Sequence, residues 1–137
     1  MAKKIEAYVD TSALIAFVDQ SETFNRLFVR CFSNPPPLVT ASLVVAEGHA
    51  WFLKRYDRFR AMQFLSMIED MPFLKSVSVG KPEIEAATQV LRKFADQNLT
   101  VTDAVGLSIM HERRTRICWS TDHHLGLTGV PLVIHAA

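Results

Sequence analysis

Apolar and polar positions change period several times along the chain, and the changes mark out alternating strands and helices. Ile5 to Val9 is a short apolar run without Gly or Pro that stops at Asp10-Thr11-Ser12, three residues with helix-start chemistry. The run predicts a strand, and Ser12 to Asp19 the helix it feeds. Ala13, Leu14, Ile15, Ala16, Phe17 and Val18 carry apolar surface almost all the way round that helix, so it is expected to be buried on most sides. Ser21 is expected to cap a second helix. In it Phe24, Leu27, Phe28, Cys31 and Phe32 fall at i, i+3, i+4, i+7 and i+8, and Asn34-Pro35-Pro36-Pro37 ends it.

Leu38-Val39 is too short to assign alone. Thr40 is a plausible N-cap for a helix from Ala41 to about Arg55, although Val44-Val45 and Gly48 lower helix propensity and leave a strand open for its first turn. After Tyr56-Asp57, the residues Phe59, Met62, Leu65 and Ile68 recur at steps of three until Met71-Pro72, a helical period. Phe73 to Val79 alternates as a strand does. Gly80-Lys81-Pro82 opens another helix, with Pro82 near its first position, Glu83 and Glu85 in its first turn, and Ile84, Ala87, Val90, Leu91 and Phe94 as its core face. Thr102 is expected to cap a helix from Asp103 to about Arg113. Arg116 to Ser120 and Pro131 to His135 read as strands, with Thr121 to Gly129 a loop containing one helical turn. Strands alternating with helices predict an α/β fold: a central, mostly parallel sheet of about four or five strands flanked by helices. Neither a repeat nor a low-complexity linker interrupts the chain, so residues 1–137 are expected to form a single domain.

The length of 137 residues and 49% hydrophobic content supply enough apolar material for a core and exclude a disordered or disulfide-stapled chain. Cys31 and Cys118, each beside bulky apolar residues, suit buried thiols in a reducing compartment. No apolar stretch approaches a signal peptide or a membrane span, so a cytoplasmic protein is the expectation. Fifteen Lys+Arg against 14 Asp+Glu leave a formal charge of +1, without the strongly basic footprint common in nucleic-acid binders.

Four acids change that picture. Ligands of open parallel sheets bind outside the carboxyl ends of the strands. Asp10 stands at the end of the first predicted strand, and Asp122 three residues past Trp119 in a later one. Each alone also reads as an ordinary cap or turn residue. On the helical reading, Glu47 has Leu43, Val44, Ala50 and Trp51 as its neighbours one turn away, which puts a carboxylate on an apolar face. Asp103 likewise has Gly106, Leu107 and Met110 below it; it also reads as an acid complementing a helix N-terminus. Four carboxylates gathered at one end of a sheet repel one another and are stabilised mainly by hard cations. Magnesium or manganese suits such an all-oxygen set, whereas zinc is disfavoured because neither cysteine has a partner at ligand spacing.

At Asp10-Thr11-Ser12-Ala13-Leu14, Glu47, Thr102-Asp103-Ala104 and Ser120-Thr121-Asp122-His123-His124-Leu125, the sequence resembles PIN-domain proteins, above all the small VapC-type ribonuclease toxins of toxin–antitoxin pairs. The resemblance runs from residue 5 to residue 134. Ser120 stands where the family usually has Thr, and Leu125 where it often has Phe. The resemblance implies an α/β/α fold and a metal-dependent endoribonuclease. Asp10, Glu47, Asp103 and Asp122 would be its catalytic and metal-binding acids, and magnesium or manganese its cofactor. Asp10 and Asp103 would hold an ion, Glu47 would complete the site, and Asp122 would bind a second ion or orient the attacking water. Ser12 and Ser120 are candidates for fixing the ligand rotamers. The resemblance also implies a cognate antitoxin as partner and a homodimer.

Arg113, Arg114 and Arg116, just after the helix carrying Asp103, are candidate RNA contacts, and Arg55, Arg58 and Arg60 suit a protein partner. The Phe24, Phe28, Phe32 stripe and the apolar helix before it read either as core or as an interface. Two rival functions remain open at this point: a non-cleaving module that binds RNA or protein, and a phosphatase with a nucleophilic Asp10. The latter is disfavoured because Ser12 stands where haloacid-dehalogenase-like enzymes carry a second Asp. Setting aside the four acids leaves 10 against 15 Lys+Arg, so the rest of the chain carries +5. A near-neutral total is thus compatible with an RNA substrate once the acids hold metal.

Overall fold

The computed structural model describes residues 5–136. Its elements run β1 (Ala7–Val9), α1 (Thr11–Val18), α2 (Asn25–Ser33), β2 (Leu38–Ala41), α3 (Ser42–Arg55), α4 (Arg58–Glu69), β3 (Leu74–Val77), α5 (Lys81–Lys93), α6 (Val101–Arg113) and β4 (Ile117–Trp119). Two short 3-10 turns follow, at His123–Gly126 and Val133–His135. The four strands form one parallel sheet in the order β3-β2-β1-β4, so the expected α/β architecture is realised with four strands.

That order decides where a ligand can sit. From β1 the chain builds outward through β2 to β3, then returns to add β4 on the opposite side of β1. The crevice where connections leave in opposite directions lies at the carboxyl ends of β1 and β4. The backbone N–H of Asp10 there donates to the carbonyl of Trp119 (3.0 Å). Ala7, Tyr8 and Val9 are fully buried, as is Cys118, so the crevice stands on the most enclosed part of the sheet.

Several boundaries differ from expectation. Leu38–Ala41 is a buried central strand, too short after three prolines to announce itself by period. Thr40 therefore caps nothing: its hydroxyl donates to the carbonyl of Val9 (2.7 Å) inside the sheet, and α3 starts at Ser42. Thr100, not Thr102, caps α6, and Thr102 is buried within the first turn. Pro131 to His135 forms no full strand. It pairs with the sheet through a single parallel bridge between Cys118 and Leu132 before turning into 3-10 structure.

Phe28 and Phe32 of α2 are buried, and the Phe32 ring meets Trp119 edge-on at 4.9 Å, so this stripe is chiefly core. Ser21 does not cap α2. Its N–H and hydroxyl both donate to Asp19 Oδ1 (3.0 and 2.7 Å), closing the end of α1. The Tyr56 hydroxyl reaches the other oxygen of Asp19 (2.6 Å), tying α1 to the end of α3. Burial pushes the Asp19 carboxyl up, but these bonds outweigh it and hold it below its ordinary value. A depressed folded pKa contributes stability above the unfolded value of about 4 and loses it as pH falls through the folded value. Asp19→Asn is accordingly expected to cost about 1–3 kcal/mol at pH 7. Thermal melts of the two proteins should converge as pH falls below the ordinary carboxylate range; a constant gap would show that charge is not involved.

Candidate active site

Asp10 is the fixed point of the crevice. It directly follows β1 in extended backbone and precedes the first turn of α1, so its side chain is held between a strand end and a helix start. It is 5% exposed. One of its oxygens, Oδ2, accepts from the hydroxyls of both Ser12 (2.9 Å) and Ser120 (3.0 Å). Each serine oxygen is itself held by a backbone N–H of the loop after β4: Thr121 donates to Ser12 (3.0 Å), and Asp122 donates to Ser120 (2.9 Å). Two relays thus run from the β4 loop through a hydroxyl to one carboxylate oxygen and fix the Asp10 rotamer. Both serine hydrogen bonds fall on Oδ2, and the Thr11 backbone N–H adds a third bond to the carboxylate.

Asp103 and Asp122 each combine a structural and an available oxygen. Asp103 Oδ2 accepts from the Thr100 N–H (3.1 Å) while its own N–H donates to Thr100 Oγ1 (3.1 Å), a reciprocal cap on α6. Asp122 Oδ1 accepts from the His124 N–H (3.0 Å) and lies 3.1 Å from His124 Nδ1. Both side chains are half-buried. The helix-start and turn readings of these acids are therefore realised, and each still has one carboxylate oxygen outside those bonds.

Glu47 departs from expectation, because it is exposed. The buried stripe of α3 is Val44, Gly48 and Phe52, so the row through Leu43, Glu47 and Trp51 forms its flank and is only partly covered. Glu47 nevertheless acts on the same region. Its charge, with those of Asp10 and Asp103, adds to burial in raising the pKa of the Tyr8 phenol well above its ordinary value. Asp10 and Asp122 likewise add to the burial that raises the Cys118 thiol. The charges of Asp10, Asp103 and Glu47 are thus felt at Tyr8, and those of Asp10 and Asp122 at Cys118.

Burial, helped by the Asp103 charge, pushes the Asp10 carboxyl up to about 6, against the hydrogen bonds from Ser12, Ser120 and the Thr11 backbone that favour its ionised form. Among the described residues, no Lys or Arg forms a salt bridge with Asp10, Glu47, Asp103 or Asp122. Asp10 and Asp103, whose charges act on one another with no Lys or Arg to balance them, are carboxylates of the kind that suits a hard divalent cation. Among the described residues, the one group of three or more possible ligands whose atoms lie within 4.8 Å of one another is Asp122, His123 and His124; Asp10, Glu47 and Asp103 are not brought to that distance.

The candidate arginines lie elsewhere. Arg113 stands at the far end of α6 from Asp103, about 15 Å along the axis at 1.5 Å per residue. There it makes a two-point bond to Glu6, with Nε–Oε1 at 2.7 Å and Nη2–Oε2 at 2.8 Å. Arg114 and Arg116 precede β4, at the amino ends of the parallel strands, whereas Asp10 stands at their carboxyl ends. The structure does not bring this group to the acids. Arg55 and Arg60 instead stack over the Tyr56 ring, at 5.6 and 5.3 Å.

Sequence reasoning placed Ser12 and Ser120 near the acids but not the backbone donors behind them. The spacing carries that signal: Ser12 lies two residues after Asp10, and Ser120 two before Asp122. Tyr8, two residues before Asp10 on the same strand face, went unremarked.

No protein-family model matches the chain. It is 28% identical over 115 residues to Ribonuclease VapC26 of Mycobacterium tuberculosis, covering 83% of this chain and 84% of that relative. Among solved structures it is similar to VapC20 of Mycobacterium tuberculosis, a sarcin-ricin loop cleaving toxin. That match has a TM-score of 0.82 at 18% identity and covers 90% of this chain and 95% of the other. FitAcB from Neisseria gonorrhoeae matches with a TM-score of 0.69 at 11% identity over 92% and 95% of the two chains. A toxin–antitoxin complex from Klebsiella pneumoniae matches at 0.61 and 16% identity over 92% and 94%.

Proposed function

We propose that this chain, a PIN-domain protein of the VapC type, is a metal-dependent endoribonuclease that hydrolyses RNA phosphodiester bonds as the toxin of a toxin–antitoxin pair. One observation supports this reading above the others: a buried Asp10, locked by Ser12 and Ser120, shares the β1–β4 crevice with acids that no Lys or Arg balances. Asp10 and Asp103 would hold a magnesium or manganese ion, Glu47 would complete the site from the rim of α3, and Asp122 would bind a second ion or orient the attacking water. Held by these residues, a divalent ion would supply Lewis acidity toward water and the scissile phosphate.

The chain's own residues do the positioning. The serine relays hold the ligating oxygen of Asp10 in one direction, and the Thr100 cap does the same for Asp103. With the four acids set aside, the rest of the chain carries +5, a whole-chain charge compatible with an RNA substrate. The antitoxin reading is supported by the assemblies that the structural neighbours represent and by apolar side chains exposed around the α3–α4 turn. Leu53 is 47%, Tyr56 40%, Phe59 68% and Met62 40% exposed. A homodimer and a cytoplasmic site of action belong to the same reading.

The test is direct. Purified protein should cleave RNA in Mg2+ or Mn2+, lose that activity in EDTA, and recover it when the ion is restored. RNA binding without cleavage in either ion would replace the enzyme by a binding module. Cleavage that persists in EDTA would remove the metal from the proposal.

A further inference from the structure

Tyr8 is fully buried, and its hydroxyl has no hydrogen-bond partner among the described residues. An orphaned buried donor is a net cost to folding, and phenylalanine would fill nearly the same volume without that cost. The phenol is therefore a liability to this fold unless something beyond the protein accepts its proton.

Its position says where the acceptor would be. Tyr8 and Asp10 are alternate residues of one extended segment, so their side chains leave β1 on the same face. That face meets α6 at Gly106. A β-carbon there would fall 3.0 Å from Tyr8 Cε1, 3.1 Å from the Tyr8 hydroxyl oxygen and 3.1 Å from Leu125 Cδ1. The ring is thus wedged between β1, α6 and the loop after β4, and the missing side chain at 106 is what admits it. Asp103 lies one turn toward the N-terminus of α6 on the Gly106 side, and helical side chains lean that way. The hydroxyl accordingly lies beneath the turn that carries Asp103, on the face that carries Asp10.

We propose that Tyr8 is a positioning residue of the acidic site, its buried hydroxyl donating a hydrogen bond to an oxygen ligand of the divalent cation from the inner side of the crevice. A phenol, with an ordinary pKa near 10, is a donor at neutral pH, and it offers this bond without adding charge. Outer partners of this kind orient ligands and contribute to metal affinity. The inference rests on the metal site proposed above.

Calorimetric titration of Mn2+ into metal-stripped protein tests it. Tyr8→Phe is expected to bind Mn2+ on the order of tenfold more weakly than wild type. The melting temperature of the ion-free variant should be no lower, because no protein hydrogen bond is lost. Equal affinity in the two proteins overturns the role of Tyr8 and leaves the metal site standing. Absence of Mn2+ binding in wild type overturns both. A near-UV absorption difference supplies a second readout that needs no folded Tyr8→Phe protein. Mn2+ should perturb a tyrosine band in wild type and equally in Tyr56→Phe, which retains Tyr8. Loss of the band in Tyr56→Phe, or no band in either protein, overturns the proposal.

Discussion

Asp10→Asn is expected to abolish RNA cleavage, with a loss on the order of 10³-fold or more, while leaving the ion-free fold as stable as wild type or more so. The two halves of this expectation have one cause. Asp10 is a carboxylate placed out of water with no cationic partner, a burden on the empty fold that only a bound cation relieves. Asparagine has nearly the same shape and keeps an oxygen to accept from Ser12 and Ser120, so the relays survive, but it removes the charge that would hold the ion. Melting curves with and without Mn2+ separate the effects. The ion should raise the wild-type midpoint and barely move that of the variant. Cleavage within tenfold of wild type would mean that Asp10 is structural and the centre lies elsewhere.

The same tension explains why the site was easier to read from sequence than parts of the fold. Asp10 was legible from its place at the carboxyl end of the first apolar run, and Asp103 because its charge conflicts with the apolar residues one turn below it. Glu47 was legible as a residue but not in its burial. Neighbours at i±3 and i±4 define a face, whereas its exposure depends on α3 turning Val44, Gly48 and Phe52 toward the core. Thr40 misled because a hydroxyl before a helical pattern has two equally local uses, capping a helix or bonding a neighbouring strand. Only the pairing of Tyr8 with Val39, a long-range event, selects the second. Thr100 and Thr102 stand two positions apart, and the reciprocal bond with Asp103 settles the choice. Arginines after α6 looked close to Asp103 in sequence, yet a helix places its two ends on opposite edges of a domain. Tyr8 was silent because a buried aromatic in a strand is ordinary; its missing hydrogen-bond partner is visible only in three dimensions.

Gly48→Ala is expected to lower stability by about 1–3 kcal/mol, a fall in melting temperature of roughly 3–10 °C, although alanine is the better helix former by about 1 kcal/mol. A β-carbon at position 48 would fall inside the contact distance of the Phe64 ring edge on α4. That ring has little room to retreat: Phe64 is 1% exposed and packs on Phe52 at 5.3 Å. The α3–α4 pair must therefore separate, and the separation reaches function because Glu47 is the next residue on α3. Cleavage by Gly48→Ala should accordingly fall at temperatures where the protein is still folded, with weaker Mn2+ binding as the cause. Phe64→Leu shortens the obstructing side chain, so the double variant should recover stability relative to Gly48→Ala alone, a coupling expected only of residues in direct contact. Additive losses in that cycle would show that Gly48 is needed for some reason other than the approach of Phe64.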